Sequence, residues 1–235
     1  MNEMAVLMAA GLGTRMRPLT DTIPKPLVRV NGTPMIETVI NGLRRRGTDE
    51  IYIVAGYLKE CFYEYATAHP GIRIVENTEF MTKNNISSIR AVCDILGQKD
   101  TFICEADLFI SDPDLFKKDI AGSCYFGRMV KGYSDDWVFE TDEDGRITRV
   151  GKGGSDCYNM VGVSYFRRED AKILREAILD AYARPGHEEL FWDEVVDRNL
   201  DRLKLMIHPV EEGQIVEIGT CGELKAVEER IINEG

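Results

Sequence analysis

The densest group of chemistry-bearing residues in this 235-residue chain lies near its start. It is Ala9-Ala10-Gly11-Leu12-Gly13-Thr14-Arg15-Met16-Arg17-Pro18-Leu19-Thr20, followed by Pro24-Lys25-Pro26-Leu27. Gly11 and Gly13 let the backbone come close to an anion and turn N–H groups toward it. Arg15 carries a planar fork of donors suited to phosphate oxygens, and Lys25, pinned between two prolines, is a placed point charge. The chain holds 29 Lys+Arg against 40 Asp+Glu, a formal net charge of −11. Three anion-favouring groups so close together in an acidic chain point to a polyphosphate site. Two familiar phosphate loops do not fit: G-x-G-x-x-G needs glycine where Met16 stands, and the G-K-[ST] of a Walker loop is absent. The glycines alone read equally well as a simple turn, whereas the full run with Lys25 is far more specific.

These residues need a scaffold, and the sequence describes one. Residues 4–8 (MAVLM) read as a buried strand feeding the glycine turn. Thr33 and Pro34 read as N-cap and first residue of a helix whose Met35, Ile36, Val39, Ile40 and Leu43 share one face, with Gly47 as its stop. A strand at 51–55, a helix at 60–68, a strand at 72–75, a helix at 86–96 and a strand at 101–105 follow, the last ending at Ala106-Asp107. Apolar runs without alternation imply a parallel sheet covered on both faces, so the expected class is α/β, a doubly wound, mostly parallel, Rossmann-like sheet. Ligands on such sheets bind at the carboxyl ends of strands, so residues 11–15, Gly56-Tyr57 and Asp107 are expected on one edge.

Residues 123–130, 137–141, 146–150 and 160–166 read as strands of a mixed second half, with Asp142-Glu143-Asp144-Gly145 as a hairpin turn. Helices are expected at 171–183 and 188–200, and late strands at 203–207 and 215–218. Thr220-x-x-Glu223 reads as a capping box opening a helix over 224–232.

Composition narrows the class further. An apolar fraction of 44% excludes disorder throughout, and the negative charge excludes a general binder of nucleic acid. The six cysteines contain no C-x-x-C pair; Cys93 and Cys104 fall in apolar runs and read as small buried hydrophobes. The three histidines are too far apart for a local metal motif. The apolar stretch 4–10 lacks a basic leader and falls short of the ~20 residues of a membrane span. A reducing, cytoplasmic setting without membrane partners is the expectation.

The signature run resembles that of nucleotidyltransferases, which join an NTP to a small phosphorylated acceptor and release pyrophosphate. Within that superfamily the chain is most similar to phosphocholine cytidylyltransferases of the LicC type. The shared features are Gly56-Tyr57-Leu58, Asn85-Ile86-x-Ser88, Glu105-Ala106-Asp107, Trp137 before the hairpin, Gly162-Val163-Ser164-Tyr165-Phe166, Trp192-Asp193 and Glu217-Ile218. The resemblance implies one domain over residues 1–235, with a nucleotide-binding half (1–110) and an acceptor-binding half (111–235).

It also implies roles. Lys25, Arg15 and Asp107 would be catalytic, the acceptor oxygen attacking the α-phosphorus of CTP. Ala9, Ala10, Gly11, Leu12, Gly13, Thr14, Gly56, Tyr57, Asn85, Ser88 and Ala106 would hold the nucleotide. Mg²⁺ would sit on Asp107 and Glu217, because the superfamily's usual second aspartate is replaced here by Gly219; residues two apart on an extended segment face the same side, so Glu217 can point where Gly219 does. Trp137, Trp192, Asp193, Tyr133 and Tyr158 would bind the acceptor, aromatic faces and a carboxylate suiting a quaternary ammonium. The expected partners are CTP and a small amino-alkyl phosphate or phosphonate, with homodimerisation left open. Phosphocholine is the first acceptor choice. Phosphoethanolamine and 2-aminoethylphosphonate stay open, since a primary amine needs acceptors such as carboxylates. A sugar-1-phosphate nucleotidyltransferase and a non-catalytic nucleotide binder are the competing readings.

Overall fold

The computed structural model describes residues 2–234. Its elements are β1 (Glu3–Ala9), β2 (Arg29–Val30), β3 (Thr33–Pro34), α1 (Met35–Arg46), β4 (Ile51–Ala55), α2 (Lys59–Ala68), β5 (Ile72–Glu76), α3 (Ile86–Ala91), β6 (Asp100–Glu105) and β7 (Leu108–Ile110). The second half adds β8 (Cys124–Thr141), β9 (Ile147–Phe166), α4 (Arg168–Tyr182), α5 (Trp192–Asp197), β10 (Met206–Pro209), β11 (Ile215–Glu217) and α6 (Cys221–Glu234).

One seven-stranded sheet, ordered β10-β8-β9-β6-β1-β4-β5, runs through both halves. β6, β1, β4 and β5 pair in parallel, β9 runs against β6 and β8, and β10 is parallel to β8. The central strands β1, β4 and β6 are apolar on both faces because both are covered. Ala5, Leu7, Ile51 and Ile53 pack under α1 and Phe62 of α2, while Met4, Val6, Tyr52 and Val54 pack with residues of α3, α4 and α5. Cys93 and Cys104 are buried in these two layers. A third cluster joins Met16, Val28, Val30 and Met35 to Ile218, Leu224 and Val227. Met16 is fully buried there. Burying such a side chain contributes about 1.5–3 kcal/mol, which anchors the glycine loop to α6 while leaving its neighbours free to face outward. Among the described residues no helix is long and apolar enough to cross a membrane.

Several boundaries differ from the sequence expectation. Thr33 is not an N-cap: it pairs with Val30, Pro34 flanks the helix, and the Met35 N–H is satisfied by the Val28 carbonyl at 3.0 Å. The helix at 86–96 stops at Ala91, and residues 92–96 continue as turns. The helix at 188–200 shrinks to α5, because the Phe191 N–H is taken by the Glu194 carboxylate (2.8 Å) and the Trp192 N–H by Asn85 Oδ1 (3.0 Å), fixing the chain as extended just before it. The four strands expected between 123 and 166 are two long ones. Val138 and Phe139 pair with Gly151 and Val150 on one side and with Asn159 and Tyr158 on the other, so the hairpin folds back on itself. The late strand is 206–209, not 203–207; Leu203 and Leu205 are buried core residues instead. The capping box is half formed. Thr220 Oγ1 accepts from the Glu223 N–H at 3.2 Å, but the Glu223 carboxylate reaches the Gly219 N–H (2.7 Å) one residue early.

Candidate active site

The parallel register of β4, β1 and β6 sets the ends of these strands side by side. A cleft of about 320 Å³ opens there, a volume suited to a small ligand. Its near wall is the stretch after β1. Gly13 has φ +61, and a Cβ there would lie 2.9 Å from Lys25 Cβ and 3.1 Å from Thr20 Cγ2. Only glycine meets both demands. The Gly13 carbonyl accepts from the Thr20 hydroxyl (2.8 Å) and the Met16 N–H (3.0 Å), which curls the loop. Among the described residues the N–H groups of Gly11, Leu12 and Gly13 find no acceptor. Successive unpaired N–H groups at a turn form an anion nest.

Lys25 forms the floor, only 8% exposed. Its ammonium is ion-paired and hydrogen-bonded to Asp107 and lies 3.9 Å from Glu217 Oε1. Arg15 Nη2 reaches the same Glu217 oxygen at 3.6 Å. β11 pairs antiparallel with β7, setting Glu217 opposite Leu108 and so beside Asp107. Burial and the Asp107 charge push the Glu217 carboxyl above its usual range. Gly219 also lines the cleft; a Cβ there would meet Glu223 Oε2 at 3.1 Å and Arg15 Nη2 at 3.2 Å, so the Arg15 guanidinium occupies the space a side chain would need.

Sequence reasoning passed over Glu105 as a site residue. It lines the cleft from the last position of β6, two residues before Asp107. Burial raises its carboxyl well above the usual range, and the charges of Asp107, Glu217 and Asp193 raise it further. The E-x-D spacing at a strand end was the available signal. Asn77 was also missed. Its side-chain N–H₂, buried, donates to Ser87 Oγ (2.8 Å) and Ser88 Oγ (3.2 Å), and it holds Ser88 at the cleft.

Of the residues expected to hold a nucleotide, Ala9, Ala10, Gly11, Gly13, Thr14, Asn85 and Ser88 line the cleft together with Arg15, Lys25, Asp107 and Glu217. Tyr57 stands behind the loop: its N–H donates to the Ala10 carbonyl (3.2 Å) and its hydroxyl to the Thr20 carbonyl (3.0 Å). Gly56 makes room for Phe80, whose ring would be 2.7 Å from an added Cβ. Ala106 is buried in the core, and Leu12 is half-buried outside the cleft wall.

The five residues expected to bind the acceptor do not gather into one wall. Trp192 is 3% exposed and stacks on Tyr125 at 5.9 Å in the core. Asp193 is buried and accepts from the Tyr125 hydroxyl at 2.9 Å; burial pushes its carboxyl up to about 7. Trp137 meets Phe191 edge to face at 5.3 Å in a separate groove of about 530 Å³. There the Lys152 ammonium lies 5.8 Å from the Trp137 ring centre and 5.4 Å from that of Phe191. Tyr133 is 74% exposed on the hairpin, and Tyr158 faces a further depression beside Arg128 and Lys131.

Known proteins share this arrangement. Residues 5–137 match the MobA-like NTP transferase domain. A 2-aminoethylphosphonate cytidylyltransferase of Lancefieldella rimae is 57% identical over 222 residues, 94% of this chain and 90% of its own. A choline-phosphate cytidylyltransferase of Streptococcus pneumoniae is 31% identical over 230 residues, 98% of this chain and 99% of its own. The solved CTP:phosphocholine cytidylyltransferase from Streptococcus pneumoniae superposes with a TM-score of 0.90 at 30% identity, covering 98% of this chain and 100% of that one.

Proposed function

The chain belongs to the MobA-like NTP transferase family, and we propose, from its 57% identity to a 2-aminoethylphosphonate cytidylyltransferase, that it is a cytidylyltransferase acting on CTP and 2-aminoethylphosphonate. A phosphonate oxygen would form a bond to the α-phosphorus as the bond from that phosphorus to the β,γ-diphosphate breaks. The electron pair leaves on pyrophosphate. The attacking oxygen is already anionic, so the protein need supply only position and charge neutralisation. In this reading the free N–H groups of residues 11–13 and the Arg15 guanidinium hold the β,γ-phosphates, and Lys25 faces the reacting phosphorus. Ser88, held by Asn77, and Asn85 face the base. The nucleotide contacts then come mainly from residues 1–110, with Glu217 added from residues 111–235 and Glu105 turned toward the acceptor.

Asp107 and Glu217 suit a hard divalent cation such as Mg²⁺. They are two carboxylates close enough that one raises the pKa of the other, with an ammonium between them. Bound there, the ion would neutralise charge on the substrate phosphates.

The observation that carries the choice of acceptor is the chemistry around the cleft. Trp192 is spent on the core, whereas Glu105 offers a carboxylate at the cleft. A primary ammonium donates hydrogen bonds to carboxylates, and a trimethylammonium has none to give. The 57% identical relative supports the same choice. The second reading is phosphocholine, favoured by the Trp137–Phe191 pair, which already attracts one cation in Lys152.

The test is pyrophosphate release from CTP and Mg²⁺ with 2-aminoethylphosphonate, phosphoethanolamine, phosphocholine and glucose 1-phosphate in parallel. The highest kcat/KM is expected with 2-aminoethylphosphonate. A higher value with phosphocholine would replace this reading by the second, and release with no acceptor would reduce the protein to a nucleotide binder.

A further inference from the structure

We infer that Glu105 is the specificity residue of the acceptor subsite, its carboxylate receiving the primary ammonium of the amino-alkyl acceptor. The inference rests on the cytidylyltransferase reading above and gives its acceptor site a named contact. Three carboxylates line the cleft, and two have cationic partners: Asp107 is paired with Lys25, and Glu217 lies near Lys25 and Arg15. Glu105 has neither a hydrogen-bond nor an ion-pair partner among the described residues. Glu105 is half-buried in the cleft wall, and a carboxylate so placed with no partner of its own is free to take a ligand's cation.

Its direction is set by Gly162. This residue has φ +77, and a Cβ there would lie 3.0 Å from Glu105 Oε2 and 3.1 Å from Leu108 Cδ2. Gly162 therefore makes the room that the Glu105 carboxyl uses. Gly162 sits on β9, which pairs with β6 on one side and with β8 on the other. The carboxyl thus leans from the end of β6 toward β9 and the mixed half, the side of β6 opposite to β1 and its glycine loop. An acceptor whose phosphonate meets the α-phosphate near Lys25 and whose chain is two carbons long would bring its ammonium to this side. The charge-assisted bond selects an ammonium that can donate over one that cannot.

The experiment compares Glu105→Gln with wild type in two assays. The first measures KM and kcat for 2-aminoethylphosphonate, together with the inhibition constant of ethylphosphonate, which lacks the amine. The second is calorimetric titration of CTP without acceptor. Loss of a charged hydrogen bond should raise KM for 2-aminoethylphosphonate by roughly 10- to 100-fold. The ethylphosphonate inhibition constant and the CTP affinity should stay within about threefold, and Glu105→Asp should recover part of the loss. Equal weakening of both phosphonates, or a fall in CTP affinity to match the KM change, would assign Glu105 to the nucleotide and overturn the inference. The parent reading fails separately: wild-type protein that turns over hexose 1-phosphates and no amino-alkyl acceptor removes both. Glu105→Gln replaces an unpartnered carboxyl by an isostere of the same size, so a melting temperature at or above wild type is the folding control.

Discussion

Replacing Lys25 by methionine is the sharpest single perturbation of the site. The apolar stem is kept and only the ammonium is removed. In the native protein that ammonium is ion-paired to Asp107, whose side chain is 22% exposed, and lies 3.9 Å from Glu217, which is 50% exposed. Without it Asp107 loses its cation, and Glu217 beside it keeps only Arg15 at 3.6 Å. Breaking a buried ion pair by removing one partner costs about 3–5 kcal/mol. Water reaches both carboxylates here, so a loss nearer ~2 kcal/mol of stability is expected. Activity should fall further, because removing an oriented group that meets charge at the reacting centre typically costs ~10²–10³ in kcat. Denaturant titration reads the first effect, and pyrophosphate release under saturating CTP from the same preparation reads the second. Adding Asp107→Asn to Lys25→Met should recover much of the stability and none of the activity, since it relieves the repulsion but takes another group from the site. A Lys25→Met protein with kcat within threefold of wild type would refute the placement of Lys25 at the reacting phosphates. A double variant no more stable than the single one would refute the electrostatic reading of the pair.

Three further outcomes follow from the same geometry. Gly13→Ala puts a Cβ at φ +61 against Lys25 and Thr20, and should destabilise by about 1–3 kcal/mol and weaken CTP binding together; a variant of native stability and affinity in calorimetry would contradict the crowding. Trp192→Ala should lower stability by about 3–5 kcal/mol with no change in the ratio of KM values for 2-aminoethylphosphonate and phosphocholine, whereas an intact fold with an altered ratio would return Trp192 to the acceptor site. Burial pushes Asp193 up to about 7, so the folded protein binds a proton that the unfolded chain releases near pH ~4. That contribution to stability is complete below pH ~4 and is lost as pH rises through about 7. Asp193→Asn should flatten this fall in melting temperature, and an unchanged slope would show that Asp193 is ionised throughout.

The parallel half of the fold was legible because β1, β4 and β6 are buried on both faces, and such strands must be short apolar runs. Its turns were legible too: once the strands are parallel, residues 11–15 and Asp107 have no choice of edge. The second half was harder. Residues 131–136 and 153–156 of the hairpin are largely polar and exposed, so no burial period marked them as strand, and two long strands looked like four. The helix expected at 188–200 failed for a tertiary reason, since Asn85, over a hundred residues away, takes the Trp192 N–H. Indole chemistry suits both a core and a cage, so the sequence could not foresee that Trp192 packs on Tyr125. Glu105 stood in plain view beside Asp107, but its significance depends on Gly162, which reaches it only through the β6–β9 pairing.

The most direct measurement is a ³¹P NMR time course of CTP, Mg²⁺ and 2-aminoethylphosphonate with the wild-type protein. The expected result is a pair of mutually coupled resonances from a new phosphonate–phosphate anhydride, growing in step with pyrophosphate. CTP that stays intact beside unchanged phosphonate, or that breaks down to CDP and inorganic phosphate, would contradict cytidylyl transfer at this cleft.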